Sequence, residues 1–195
     1  MKNNFSERRL KLSDKVLEDS AIIVASALVK ARISDTDYAY RQDSNFYYLS
    51  GYEEPDSLLL IRPSSNKEKF IIFCRDRDPL REQWDGFRTG QEGAVQQYGA
   101  DNAYSINSLD QMMPDLLAGV KNIYFSMSAP CGVDIKISHW MEDIRKNTRA
   151  GAEAPNNLLS LDSILHEMRL IKEDHEMNLM KKAADITTEA HIRAM

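Results

Sequence analysis

The chain has 195 residues, 43% hydrophobic and 28% charged, a composition that suits one sizeable soluble domain. A net charge of −5 argues against nucleic acid as a partner, because phosphate binding calls for a basic surface and counterion release. Cys74 and Cys131 lie too far apart for a Cys-x-x-Cys pair, which disfavours a zinc ribbon or dithiol redox centre and leaves buried free thiols as the expectation.

The first residues are polar and charged, with no apolar run suited to a signal peptide or membrane span, so a cytoplasmic location is expected. From Ser6 to Leu17, Leu10, Leu12, Val16 and Leu17 recur among charged residues, which predicts a surface helix with Ser6 as N-cap. Ala21-Ile22-Ile23-Val24-Ala25 lacks polar alternation, as a strand buried on both faces does. Phe46-Tyr47-Tyr48-Leu49 is aromatic and is read as a candidate strand. Ser57 to Ile61, closed by Pro63, and Phe70 to Cys74 repeat the buried-strand pattern, as does Asn122 to Phe125. Arg75-Asp76-Arg77-Asp78 is of mixed sign and is read as a solvated turn.

Helical periodicity covers Gly93 to Tyr98, Ser108 to Leu117 and Asp134 to Arg145. Strands alternating with helices predict a three-layer α/β domain with a largely buried sheet flanked by helices. Small residues and Pro155 between Arg149 and Asn157 read as a loop leaving that domain. Two helices follow, one capped by Asp162 and one starting near Asp174. The second carries Met177, Met180, Ala183, Ala184, Ile186, Thr187, Ala190 and Ala194 at three- and four-residue steps, a core-facing stripe that reaches Met195 without a C-cap. Further sequence or a partner chain is expected to cover it.

Few residues suggest chemistry. His166-Glu167 begins like a zincin helix, but Leu170 stands where a second histidine belongs. His139, His166, His175 and His191 share no ligand spacing. Glu173, Asp174 and Glu176 suit the first turn of a helix, where carboxylates meet the positive end of the dipole, so capping is preferred to metal binding there. No phosphate-cradling, dinucleotide or nucleophile-elbow motif is present.

Two stretches carry a resemblance. Tyr40-Arg41-Gln42-Asp43-Ser44-Asn45-Phe46-Tyr47-Tyr48-Leu49-Ser50-Gly51-Tyr52-Glu53-Glu54-Pro55 resembles the signature of the aminopeptidase P N-terminal domain, Tyr-Arg-Gln-x-Ser-x-Phe-x-Tyr-x-x-Gly-x-x-Glu-Pro, at every fixed position. His166 to Lys172, followed by Ala183 to Thr187 and Ala190 to Met195, is similar to the passage in which that family's first domain hands over to its catalytic domain. The resemblance implies an N-terminal domain over residues 1–172 and the first helix of a truncated pita-bread metallopeptidase domain over 173–195.

It further implies a proline-specific aminopeptidase that removes the residue preceding proline from Xaa-Pro peptides. Its two divalent metal ions, usually manganese, are held by two Asp, one His and two Glu. All five lie beyond Met195, so this segment is assigned no catalytic residue and no metal ligand and is expected to be inactive alone. The expected partners are the peptides, the chain's own C-terminal catalytic domain, and further copies in a homodimer or homotetramer, with neither nucleic acid nor membrane among them.

Two residues are implied to reach a neighbouring subunit's substrate. Trp84 matches the tryptophan of the family's Trp-x-Gly-x-Arg-x-Gly loop, and Arg149 matches a family arginine whose guanidinium fork suits a peptide carboxylate or carbonyl. Packing for the tryptophan and solvation for the arginine are the competing readings. Phe46, Tyr48 and Arg41 are expected to be structural, a buried aromatic turn with its own ionic partner. Prolidase or creatinase relatives, and a catalytically inactive peptide- or protein-binding module of the same fold, remain the alternatives.

Overall fold

The computed structural model describes residues 4–127, 132–146 and 151–195. Its centre is a six-stranded sheet of β1 (Ser20–Ala25), β4 (Leu58–Ile61), β5 (Phe70–Cys74), β6 (Asn102–Ser105), β7 (Asn122–Phe125) and β8 (Asn157–Ser160), in the order β6-β5-β4-β1-β7-β8. β4 runs antiparallel to both of its neighbours, pairing Ile23 with Leu60 on one side and Leu60 with Ile71 on the other. The remaining neighbours pair in parallel, so β1, β5, β6, β7 and β8 all finish on one edge. A separate hairpin of β2 (Ala31–Ile33) and β3 (Thr36–Asp37) stands exposed beyond β1.

Every residue of β1, β4, β5 and β7 is buried, and successive side chains serve opposite faces. On one face Ile22, Val24, Leu59, Ile61, Ile72 and Cys74 pack beneath α1 (Phe5–Ser13), α2 (Ser44–Ser50), α4 (Gly90–Tyr98) and α7 (Asp162–Leu170). On the other, Ile23, Leu58, Leu60, Ile71, Phe73 and Phe125 meet α5 (Leu109–Leu117) and α6 (Val133–Lys146), with Trp140 filling the middle. The result is the expected helix–sheet–helix sandwich, a mixed sheet covered on both sides.

The expected strand at Phe46–Leu49 is instead helix α2. Asp43 accepts hydrogen bonds from the Asn45 and Phe46 amides at 2.9 Å each, and Gly51, at φ +69°, closes the far end with a 2.8 Å bond to the Tyr47 carbonyl. An Asx cap in front and a left-handed glycine behind fix one short helical turn more firmly than aromatic β-propensity opposes it. Helix α1 runs from Phe5 to Ser13, starting one residue earlier and ending four earlier than read, and Asn4 rather than Ser6 precedes it. Asp162 is the first helical residue of α7, not its cap, and its carboxylate accepts from the Ser126 hydroxyl at 3.0 Å.

The small-residue stretch before Asn157 does not take the chain out of the α/β unit. β8 adds to the sheet edge, and Leu161 and Leu165 then bury α7 against the core. α8 (Asp174–Ala194) starts where expected but buries none of its residues, so its stripe of Met177, Met180 and small residues is uncovered among the described residues. Cys74 is a free, buried thiol as read, and burial pushes it up to about 11; Cys131 lies outside the described residues.

Candidate functional site

The carboxyl edge of the five parallel strands gathers the features that resemble a site, as open α/β sheets lead one to expect. The turn after β5 is Arg75-Asp76-Arg77-Asp78, and it is far from a free solvated turn. Arg75 donates to Glu54 at 3.2 Å, and Asp76 accepts from Ser105 at 2.7 Å and Gln91 at 2.9 Å. Arg77 grips Glu82 through two bonds of 2.6 and 3.0 Å. Asp78 caps α3 (Pro79–Asp85) by accepting from the Leu80 and Arg81 amides.

α3 is the carrier of Trp84, which therefore lies on a helix, not in a loop. The helix buries none of its residues, and Trp84 is 89% exposed. That argues against a packing anchor within this chain. Leu80 and Phe87 are exposed on the same segment, so its apolar side chains face outward while polar contacts brace it from behind. Behind it, Arg77 also lies over the Phe87 ring at 4.6 Å, and Arg88 donates to Asp85 at 3.2 Å. Gly90, at φ +65°, admits the Arg77 stem where a Cβ would fall 2.7 Å from its Cγ, so a side chain there would displace the brace.

Glu54 links this platform to the sixteen-residue signature. Its carboxylate accepts from the Thr89 amide at 2.7 Å and from Arg75, and its carbonyl accepts from Gln42 at 2.9 Å. Gln42 in turn accepts from the Ala27 amide at 2.9 Å and the Tyr40 hydroxyl at 3.0 Å. Burial raises the Tyr40 phenol to about 12, so it remains a donor at neutral pH. The signature is thus a brace that ties the end of β1, the α2 cap and the Trp84 platform together. Removing the Glu54 carboxylate strands a largely buried Arg75 and an amide donor. Glu54→Ala is expected to cost about 2 to 3 kcal/mol, and Glu54→Gln, which keeps an acceptor for Thr89, less; thermal denaturation of both variants measures the difference.

A groove of ≈ 770 Å³ runs along this edge, lined by Arg75, Arg77, Arg81 and Arg88 but also by Asp56, Asp76 and Asp78. With Glu54, Glu82 and Asp85 paired to the arginines, the edge builds no net positive field of the kind a phosphate ligand needs. Among the described residues no group of three or more His, Cys, Asp and Glu side chains is placed to hold a metal ion.

Of the other residues singled out, Phe46 and Tyr48 are buried as expected, but Arg41 is exposed and has no ion pair among the described residues. The ionic partner of the aromatic turn is Arg8, whose guanidinium lies 4.1 Å from the Tyr48 ring centroid. Arg149 lies outside the described residues. Glu173 and Glu176 form a reciprocal capping box on α8, as the preference for capping over metal binding anticipated. Sequence reasoning missed Glu54, Gln42 and Arg8. The first two lie inside the signature, whose fixed positions were the signal, whereas nothing local distinguishes Arg8 from its charged neighbours.

Comparison with known proteins agrees with this geometry. The family model described as the aminopeptidase P N-terminal domain matches residues 5–124. The Xaa-Pro aminopeptidase of Escherichia coli (strain K12) is 32% identical over 195 residues, all of this chain and 44% of that protein; the Haemophilus influenzae Xaa-Pro aminopeptidase is 37% identical over 194 residues, 100% and 43%. A Pseudomonas aeruginosa aminopeptidase structure superposes with a TM-score of 0.96 at 38% identity, covering 100% of this chain and 44% of that one. An Escherichia coli aminopeptidase P in complex with substrate gives 0.94 at 31%. The chain spans less than half the length of these relatives. The family model's match over more than half of the chain, with the relatives and structures it resembles, places the chain in the aminopeptidase P N-terminal domain family.

Proposed function

We propose that this chain is the non-catalytic N-terminal part of a metal-dependent Xaa-Pro aminopeptidase, a hydrolase that removes the residue before proline from peptides. Residues 1–172 form the N-terminal domain, and residues 173–195 begin the pita-bread catalytic domain. Two divalent metal ions, manganese in the resemblance, would be held by residues outside this chain and would activate water for attack on the peptide carbonyl. The domain joins subunits into a dimer or tetramer and limits entry to the active site. Trp84 and Arg149 reach the substrate bound by a neighbouring subunit. A cytoplasmic location belongs to the same reading; among the described residues no helix is long and apolar enough to cross a membrane.

The observation that supports this reading most is Trp84 itself. An indole held almost fully exposed on a helix without a buried residue, and braced by Arg77, Glu82, Arg88 and Glu54, makes physical sense as a surface offered to another molecule. Mn²⁺-dependent release of the N-terminal residue from an Xaa-Pro-Xaa peptide tests the reading. The full-length protein is expected to release it, to stop on chelation and to recover when Mn²⁺ is restored, while residues 1–195 alone release none. Activity in the isolated segment would contradict the assignment of catalysis to residues outside it.

A further inference from the structure

α8 is long, exposed on every side and attached to the α/β body at one end. Among the described residues it buries none of its side chains, so within this chain the contacts at its first turn are what tie it to the α/β body. What touches its first turn is Arg8 of α1. That arginine is only 2% exposed, an expensive place for a charge unless it is fully paired.

Arg8 Nη2 donates to Glu173 Oε2 at 3.0 Å and lies 3.1 Å from Glu176 Oε1. The same nitrogen lies 3.3 Å from His175 Nε2, which must accept, since a guanidinium only donates. Nη1 donates to the Tyr48 carbonyl at 3.3 Å, and the guanidinium lies 4.1 Å from the centroid of the Tyr48 ring. Glu173 and Glu176 are the two halves of the α8 capping box, each bonded to the other's backbone. They are therefore fixed to the helix axis as well as to Arg8.

α2 also holds the end of α7. The Tyr48 hydroxyl donates to the Met168 carbonyl at 3.3 Å, and Arg169 donates to the Asn45 side chain. Only Ile171, Lys172 and Glu173 separate α7 from α8, and Lys172 folds back onto the Arg169 and Leu170 carbonyls. The junction is gripped on both sides by one buried feature, the Arg8–Tyr48 stack.

We propose that Arg8 is a positioning residue: through Glu173, Glu176 and Tyr48 it fixes the angle at which α8 leaves the α/β body, and with it the placement of whatever α8 carries relative to the Trp84 face. Ion clusters of this depth add little net stability, because desolvation offsets the attraction, but they impose geometry and register. Burial alone raises the Glu173 carboxyl. The Arg8 hydrogen bond and charge, aided by Lys11 and His175, more than offset that and hold it below the usual carboxylate range, so Glu173 is ionised at neutral pH.

The test reads geometry in the full-length protein and does not depend on peptidase activity, so its failure is separable from failure of the aminopeptidase reading. Spin labels at Glu142 on α6 and Asp185 on α8, both exposed and the latter opposite the methionine stripe, report the angle as a distance distribution. The wild type is expected to give one narrow distribution. Glu173→Gln combined with Glu176→Gln, changes on partly exposed side chains, should abolish the single narrow peak; because it leaves the buried Arg8 without a carboxylate, the melting temperature falls as well, so the distances are read at a temperature where circular dichroism shows the α/β body folded. Arg8→Gln should do the same; if that variant fails to fold, the glutamate pair carries the test. A wild-type distribution that is already broad, or one that stays narrow and unshifted when both glutamates are neutralised, overturns the proposal.

Discussion

Full-length protein carrying Trp84→Ala is expected to melt with the wild type and to lose kcat/KM on Xaa-Pro peptides by about 30-fold, the equivalent of the ~2 kcal/mol typical of a buried interfacial tryptophan. The two halves of that expectation have separate physical causes. Within its own chain Trp84 is 89% exposed and lies on a helix with no buried residue, so truncating it removes no core contact. Across to a substrate or a second subunit, an indole offers a large, rigid apolar face at little entropic cost. Thermal denaturation beside steady-state kinetics separates the two, and size-exclusion chromatography shows whether the loss comes through assembly or through the substrate. A large drop in melting temperature would instead mean that Trp84 packs within the fold.

The second large effect falls on stability. Phe46 is fully buried between the sheet and Tyr52, whose ring centroid lies 6.5 Å away. Phe46→Ala is expected to cost about 3 to 5 kcal/mol, the range for large-to-small changes at sites that cannot collapse. That is a large share of the roughly 5 to 15 kcal/mol that holds a domain together. Tyr47, next along α2, is partly exposed, and its ring meets Phe5 edge-on at 5.9 Å. Tyr47→Ala should therefore cost about 1 kcal/mol, as ordinary partly exposed substitutions do. Urea midpoints for the two variants form the comparison: equal shifts would mean that α2 does not have the inward and outward faces described.

The sheet was legible wherever a strand is buried on both faces, because burial forces continuous apolar runs. β1, β4, β5 and β7 were read that way and stand within a residue of their expected limits. β6 (Asn-Ala-Tyr-Ser) and β8 (Asn-Leu-Leu-Ser) lie at the sheet's two edges, are half-buried or exposed apart from Ala103, and have no such pattern to betray them. α2 was misread because four residues of aromatic and apolar character suit either a strand or a helical turn, and the deciding features were Asp43 and Gly51. α3 did leave a signal, an aspartate followed by proline at the first helical position, the ordinary start of a helix.

The site divides in the same manner. Trp84 was found through its motif, and its exposure could not have been read from the sequence. Glu54 joins Thr89 across 35 positions and Arg8 joins Glu173 across 165, and contacts that distant follow from the fold alone. Arg41 shows the opposite error: a fixed place in the signature suggested a buried ionic role, and the chain gives that role to Arg8.

The measurement that bears most directly on the account is mass-spectrometric detection of the N-terminal residue released from an Xaa-Pro-Xaa peptide by the full-length protein, with an Xaa-Ala-Xaa peptide as control. The account predicts metal-dependent release from the first peptide and little from the second. A full-length protein that binds the Xaa-Pro peptide and never cleaves it would contradict that account, and would make this fold a peptide-binding module.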